Sequence, residues 1–183
     1  MITTYIIIGI IVVLIFWLLS TYNNLVTLRN RVREAWSQID VQLKRRSSLI
    51  PNLIETVKGY VKHEKGVLTE VTKARTALMS AKNPKDAADA DNLLTGALKS
   101  LFAVAENYPQ LRASENFKQL QEEISDTETK VAASRQFYNT NVLDINNSLQ
   151  TIPSAWVGQM FGFKMEEFFK ATEEEKADIK VQF

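Results

Sequence analysis

An isolated histidine and a set of carboxylates on one predicted helix are the residues of this sequence whose types suggest metal binding or acid–base chemistry. His63 stands beside Glu64, but position 60 is Tyr, so the Glu-x-x-His spacing of di-iron helical bundles is missing. Glu122, Glu123 and Glu128 fall on a helix surface, where neighbouring carboxylates are usually solvated. The chain has no cysteine, which removes thiol nucleophiles and thiolate metal sites. We therefore predict no catalytic, cofactor-binding or metal-binding residues, no cofactor, and no enzymatic activity.

Residues 2–19 form an uncharged apolar segment with Thr3 and Thr4 as its clearly polar members. Eighteen helical residues cover about 27 Å, close to the thickness of the hydrocarbon core of a bilayer. A cleaved signal peptide is the alternative interpretation. The absence of Lys and Arg before the segment, and of a small-x-small sequence after it, favours an uncleaved membrane anchor.

Basic residues follow the apolar segment and none precede it. Arg29, Arg31 and Arg33 lie on its C-terminal side, so the positive-inside rule places the N-terminus outside and the rest of the chain in the cytoplasm. We expect a single-pass protein of the cell membrane that contacts the lipid bilayer through residues 2–19. These arginines lie about 15 to 21 Å beyond Leu19 on an upright helix, which makes contact with lipid the less favoured role for them.

Apolar residues recur at spacings of three and four from residue 22 onward, which is the period of a helix with one buried face. Pro51 interrupts the first of these helices, predicts a kink and frees the carbonyl of Ser47. Asn83-Pro84 is a clear turn, after which Asp86 is a candidate N-cap. The predicted helices cover about 22–62, 65–82, 86–107 and 111–149.

The predicted fold class is all-α, because no strand alternation of any length is present. An N-terminal transmembrane helix precedes an antiparallel up-and-down four-helix bundle in which the first and fourth helices are long and the middle two are short. The predicted domains are the transmembrane anchor 1–21, the helical bundle 22–150 and an aromatic-rich C-terminal tail 151–183.

Helix lengths predict an apolar face that the short helices leave uncovered. The two short helices reach back only to about Lys44–Arg46, so the membrane-proximal half of the long pair needs another cover or binds a partner. The candidate interaction face is Leu28, Val32, Trp36, Ile39, Lys44, Arg45 and Arg46. A solvated surface is the plainer interpretation for the three basic residues.

The tail after Pro153 is too apolar for a free linker and is one candidate cover. Its candidate docking residues are Trp156, Phe161, Phe163, Phe168 and Phe169. The tail packs on its own chain, on a second copy, or on the membrane surface with Lys164 and Lys170 near lipid headgroups. Asn23, Asn139, Asn146 and Asn147 either form a buried polar layer that fixes the register or cap and line loops.

The formal net charge of +1 argues against a nucleic-acid-binding protein that works by bulk electrostatics. Residues 22–63 carry eight basic and three acidic side chains, or +5, whereas residues 84–134 carry five and nine, or −4. Opposite charges on successive helices of one domain are most simply explained by mutual pairing.

Several runs of residues carry a family resemblance. They are Glu34-Ala-Trp-Ser-Gln-Ile-Asp at the start of the bundle, the Leu49-Ile-Pro-Asn-Leu sequence around Pro51, Ala103-Val-Ala-Glu-Asn-Tyr-Pro, Phe137-Tyr-Asn and Phe161-Gly-Phe163. Together they resemble proteins of the LemA family, and the resemblance covers nearly the whole chain. It implies a single N-terminal membrane helix and a cytoplasmic antiparallel helical bundle in bacteria, in a family with members linked to magnetosome membrane formation, and it implies no activity.

A membrane-anchored scaffold or adaptor for protein assembly is the function that these features favour. The expected partners are the lipid bilayer, a second copy of the chain as a homo-oligomer, and an unidentified membrane or cytoplasmic protein. The alternative is a membrane-shaping or membrane-organising protein that self-assembles on the bilayer.

Overall fold

A computed structural model describes residues 1–61 and 64–169 of the chain, so His63 and the tail from Lys170 on lie outside the described residues. Its helices, in chain order, are α1 (Ile2–Lys58), α2 (Lys65–Ser80), α3 (Pro84–Ala105), α4 (Pro109–Ala113), α5 (Glu115–Gln150) and α6 (Ser154–Met160). No strand occurs among the described residues, and the predicted all-α class is confirmed. The up-and-down four-helix bundle stays a prediction.

The segments predicted as an anchor and a first bundle helix form one continuous helix, α1. Its apolar N-terminal segment is long and apolar enough to cross a membrane, and none of that segment is buried within the protein. The helix ends at Lys58, directly before Gly59 and four residues before the predicted end. The predicted fourth helix is divided at Ser114 into the short α4 and the long α5.

α1 continues through Pro51 because a side chain from another helix satisfies the carbonyl that proline frees. The hydroxyls of Ser47 and Ser48 donate to the carbonyls of Lys44 and Arg45. The carbonyl of Ser47, four residues before Pro51, instead accepts from Arg75 Nε at 3.0 Å. The donor to this carbonyl is therefore Arg75 of α2 and not one of the two serine hydroxyls.

α3 begins with a reciprocal cap that the sequence analysis assigned to the wrong residue. Asn83 is the N-cap, and its Oδ1 accepts from the amide of Asp86 at 2.8 Å. Asp86 Oδ2 in turn accepts from the side-chain Nδ2 of Asn83 at 2.7 Å, so the two side chains hold each other at the start of the helix. Pro84 fits the first helical position, where no amide hydrogen is needed. The helix therefore starts two residues earlier than predicted.

The chain divides into two compact units, which we describe separately. The first unit consists of Met1–Trp36 and Phe137–Glu167. Outside the apolar N-terminal segment it has a small core in which the buried side chains of α1 and α5 recur at helical spacing. The core residues are Leu25, Val32, Ala35, Tyr138, Val142, Ile145 and Val157.

The second unit consists of Ser37–Gln136 and the chain from Phe168 on. α2 packs against α3, and the aromatic rings of Phe102 in α3 and Phe117 in α5 meet edge to face at 6.1 Å. The buried aliphatic stripe of α1 in this unit is Ile39, Leu43, Ile50, Leu53 and Val57. These positions match the predicted apolar period, which confirms the buried face of this helix.

Candidate functional site

An aromatic cluster lies in the first unit, just beyond the end of the apolar segment. The ring of Tyr22 is 4.7 Å from that of Phe161 and 5.9 Å from that of Phe163, measured between centroids. The guanidinium of Arg29 lies over the Phe163 ring at 5.0 Å, within the range of a cation–π interaction. The tail therefore returns to α1 three residues after Leu19, where the apolar segment ends.

Two glycines allow this return. A Cβ at Gly158 would lie 2.6 Å from Leu149 Cδ2 and 4.0 Å from Leu25 Cδ1, so any larger residue at this position would force the tip of the Leu149 side chain to move. Gly162 has a φ of 67°, and the amides of Gly162 and Phe163 donate to the carbonyls of Gln159 and Gly158. This is a Schellman motif, and it turns the chain so that Phe163 meets Tyr22.

Two polar side chains of α5 hold the tail after Phe163. The side-chain amide of Asn146, which is buried, donates to the carbonyl of Glu166 and accepts from its amide, both at 2.9 Å. The hydroxyl of buried Tyr138 donates to the carbonyl of Glu167 at 2.9 Å. Burial, with the nearby Glu166 and Glu167 carboxylates, raises the pKa of Tyr138 to about 12. We call these three backbone contacts the tail clasp.

The predicted tail-docking residues divide into packed and exposed ones. Phe161 and Phe163 contact Tyr22, and in the second unit Phe169 is buried beneath the guanidinium of Arg135 at 4.9 Å. Trp156 and Phe168 are exposed. The part of the tail in the first unit therefore packs on its own chain, which was one of the three possibilities left open by the sequence.

The predicted interaction face is mostly covered within the chain. In the first unit Val32 is buried, Leu28 and Trp36 are half-buried, and the Trp36 ring meets Tyr138 edge to face at 6.1 Å. In the second unit Ile39 and Arg46 are buried, whereas Lys44 and Arg45 are exposed. Binding of a partner by this face stays a prediction, and Lys44 and Arg45 are its most accessible members.

Arg46 forms a buried ion pair in the second unit. Its Nη1 donates to Asp91 Oδ1 at 2.6 Å, and its Nη2 lies 3.4 Å from Glu128 Oε2. The side chains of Arg46 and Asp91 are 1% and 3% exposed, and burial raises the pKa of Asp91 against the opposing effect of the arginine. The pair links α1 to α3. Arg46, for which a solvated surface was the plainer interpretation, is therefore part of a buried structural ion pair.

An open groove of about 520 Å³ lies between α2 and α3 in the second unit. Small residues of both helices line it, and the side chain of Leu93 at its rim is 62% exposed. The small lining residues are Ala74, Ala77, Gly96 and Ala97. Grooves with an apolar floor are one of the surfaces on which proteins bind an amphipathic helix.

A family model for the LemA family matches residues 35–183. This chain belongs to the LemA family. "Protein LemA" of Metamycoplasma hominis is 27% identical over 161 residues, which cover 86% of this chain and 72% of the relative. "Magnetosome protein MamQ" of Magnetospirillum gryphiswaldense is 22% identical and "Magnetosome protein MamQ 1" of Paramagnetospirillum magneticum is 23% identical, each with 87% of this chain and 68% of the relative covered.

The sequence predicts no metal-binding or catalytic residues in this protein. Among residues 1–61 and 64–169, no group of three or more His, Asp or Glu side chains is arranged to hold a metal ion. Glu128 lies against Arg46, and the predicted absence of enzymatic activity stays a prediction.

Sequence reasoning missed the buried ion pair although a signal for it was present. Arg46 falls within the apolar stripe of α1 between Leu43 and Ile50, and Asp91 falls within that of α3 between Ala87 and Leu94. When two helices of one domain each have a charged residue within the apolar stripe, and the charges are opposite, the pattern indicates a buried ion pair. Asn146 gave a similar signal, since it is adjacent to buried Ile145. It is buried and bonds the backbone of the tail, whereas Asn23 and Asn147 are exposed, so the four asparagines do not form one buried layer.

Proposed function

We propose that this protein is a single-pass membrane protein that recruits other proteins through its helical part. The observation that carries the proposal is the contrast within the first unit: the apolar N-terminal segment of α1 is unburied, whereas Leu25 and Val32 of the same helix are core residues. An unburied apolar segment of this length is stable in a bilayer and costly in water. The arginines that follow this segment place the helical part of the chain in the cytoplasm by the positive-inside rule.

The groove between α2 and α3 supports recruitment of a protein rather than of a small molecule. It is open, its small residues are flanked by the polar Glu70, Lys73 and Asn92, and it includes the exposed Leu93. An apolar strip with polar residues beside it is typical of a surface that contacts another helix. Lys44 and Arg45 provide a second accessible surface on the same unit.

Two measurements on the full chain test this proposal. The chain should resist extraction from bacterial membranes by alkaline carbonate, since peripheral proteins are released and spanning proteins are not. A photo-crosslinking residue placed at Leu93 in living cells should give a defined adduct with a protein, whereas one at Glu55, which is exposed and outside the groove, should not. Release by carbonate would contradict the anchor.

The recruiting role has its own contradicting outcome. Adducts should be absent when Leu93 carries the crosslinker and Ala77 on the facing wall is replaced by Asp, because a charge in the groove opposes an apolar partner. Absence of adducts at Leu93, Lys44 and Arg45 alike would contradict the scaffold function while leaving the anchor intact.

The alternative function is a protein that organises the membrane and self-assembles on it, and two relatives named as magnetosome proteins are the reason to test it. Light scattering of the full chain in mild detergent distinguishes it from the scaffold function. An oligomer would favour self-assembly, whereas a monomer would contradict it.

A further inference from the structure

α6 exposes large apolar side chains that its own packing does not require. Val157 and Gly158 face the core of the first unit. Trp156 and Met160, four residues apart and therefore on one face of the helix, are each 63% exposed. Phe161 follows them, and its half-exposed ring contacts Tyr22. We call Trp156, Met160 and Phe161 the α6 patch.

Contacts with α1 fix the level of the α6 patch relative to the apolar segment. Tyr22, which contacts Phe161, is three residues beyond Leu19, and Leu25, which approaches Gly158, is six residues beyond it. These separations correspond to about 4 to 9 Å along an upright helix. The interfacial layer on each side of the hydrocarbon core is about 5 to 7 Å thick. Phe161 is therefore level with the lipid headgroups if residues 2–19 span the bilayer, and the rest of the patch, toward the level of Leu25, lies at the outer edge of that layer.

The chemistry of the patch fits that level. Tryptophan and tyrosine concentrate where a membrane meets water, because one part of each ring system is apolar and another part is polar. Trp156 and Tyr22 supply this pair, and the exposed Lys164 adds a cation two residues after the glycine turn. An apolar helix face at this depth is buried by acyl chains without any other protein.

We propose that the α6 patch is a second membrane contact, which enters the headgroup layer of the leaflet from which α1 emerges with Phe161 as its deepest residue. The inference rests on the proposed spanning role of α1. With two attachment points, the anchor and the patch, the first unit is held in one rotational orientation about α1 rather than turning freely. The tail clasp and the Gly158 contact keep the patch on the side of α1 that faces α5.

The absence of cysteine permits a direct test with the full chain. Single nitroxide labels are introduced through Ile11→Cys, Met160→Cys and Glu34→Cys, and each protein is reconstituted into vesicles of phosphatidylethanolamine and phosphatidylglycerol. Collision rates with oxygen, which enters the bilayer, and with a water-soluble nickel complex report the depth of each label. We expect a bilayer depth for Ile11→Cys, an aqueous environment for Glu34→Cys, and an interfacial depth for Met160→Cys.

Each other outcome has one meaning. An aqueous Met160→Cys label beside a bilayer-embedded Ile11→Cys label overturns the α6 contact and leaves the anchor standing. An aqueous Ile11→Cys label overturns the anchor instead. A Met160→Cys label that neither reagent reaches, with spectral broadening between labels, assigns the patch to a second copy and overturns the inference. Trp156→Asp, which changes an exposed residue, should move the Met160→Cys label from interfacial to aqueous.

Discussion

Asn146 illustrates how one side chain can hold a segment that has no regular structure of its own. Its amide group makes both a donor and an acceptor bond with the backbone of Glu166, as a strand partner does. Because Asn146 is buried, removal of its side chain leaves two backbone groups of Glu166 without these bonds.

We expect Asn146→Ala to lower the free energy of unfolding by about 1 to 3 kcal/mol, since buried polar groups lose their partners. The measurement is urea unfolding of the detergent-solubilised full chain. Asn147→Ala is the matched control, because Asn147 is the next residue on α5 and is exposed. Equal effects of the two substitutions would show that the clasp does not contribute to stability.

Tyr138 gives the clasp a dependence on alkaline pH. Its pKa is raised to about 12 in the folded chain from an ordinary value of 10.0, so the unfolded chain loses this proton at lower pH than the folded chain does. The contribution of Tyr138 to stability is therefore complete below pH 10 and is lost as pH rises from 10 to 12.

Tyr138→Phe should remove that part of the pH dependence of stability. We expect the difference in free energy of unfolding between the wild type and Tyr138→Phe to shrink as pH rises through this range. Unfolding measured at several alkaline pH values gives the difference. The chain has five tyrosines, so the pKa of Tyr138 comes from the tyrosinate absorbance of the wild type minus that of Tyr138→Phe. A difference that stays constant with pH would contradict the raised pKa.

At the scale of helices, glycine has opposite roles in α6 and α3. Gly158 lies against Leu149 and Leu25, whereas a Cβ at Gly96, on an exposed face of α3, would meet nothing within 4 Å. The same substitution should therefore change stability in opposite directions at the two positions.

We expect Gly158→Ala to destabilise the protein by about 1 kcal/mol, because the half-buried Leu149 side chain has to leave its present position. Gly96→Ala should stabilise it by about 0.4 to 1 kcal/mol, since alanine restricts the unfolded chain and favours helix. Thermal unfolding followed by circular dichroism compares the two. Stabilisation by both substitutions would mean that α6 does not sit against Leu149 as described.

The helices themselves could be predicted because their apolar residues recur at a regular period, as in the stripe from Ile39 to Val57. The short α6 could not, because seven residues are too few to establish a period and their exposed face is as apolar as the buried one. The break at Ser114 was missed for a related reason: Leu111 and Phe117 are both buried and keep the apolar pattern on either side of it.

For the molecule as a whole, the unequal distribution of charge along the sequence predicted that basic and acidic side chains of different helices pair with each other. Two contacts of the second unit are pairs of this kind. Arg46 binds Asp91, and Arg45 lies 3.9 Å from Asp126. The sequence could not rank these contacts, because burial decides their energy and depends on which positions of α1 and α3 face each other.

We expect Asp91→Asn to cost about 3 to 5 kcal/mol, because it leaves the buried charge of Arg46 without its closest counter-charge. Asp126→Asn is the control: its carboxylate is exposed and pairs with Lys130 and Arg45 at the surface, so we expect little change. Urea unfolding of the full chain measures both. The combined change Arg46→Met and Asp91→Leu should recover most of the lost stability, and a combined effect as large as that of Asp91→Asn would contradict this account of the pair.

The hydrogen bond from Arg75 to the carbonyl of Ser47 makes positions 51 and 75 interdependent in their mutational effects. Arg75→Ala should be costly only while position 51 is proline. In Pro51→Ala, the amide of residue 51 can itself donate to the carbonyl of Ser47, so the bond from Arg75 is no longer needed. In a double-mutant cycle, the effect of Arg75→Ala should therefore be smaller in the Pro51→Ala background. Over evolutionary time, such a pair is expected to be gained or lost together.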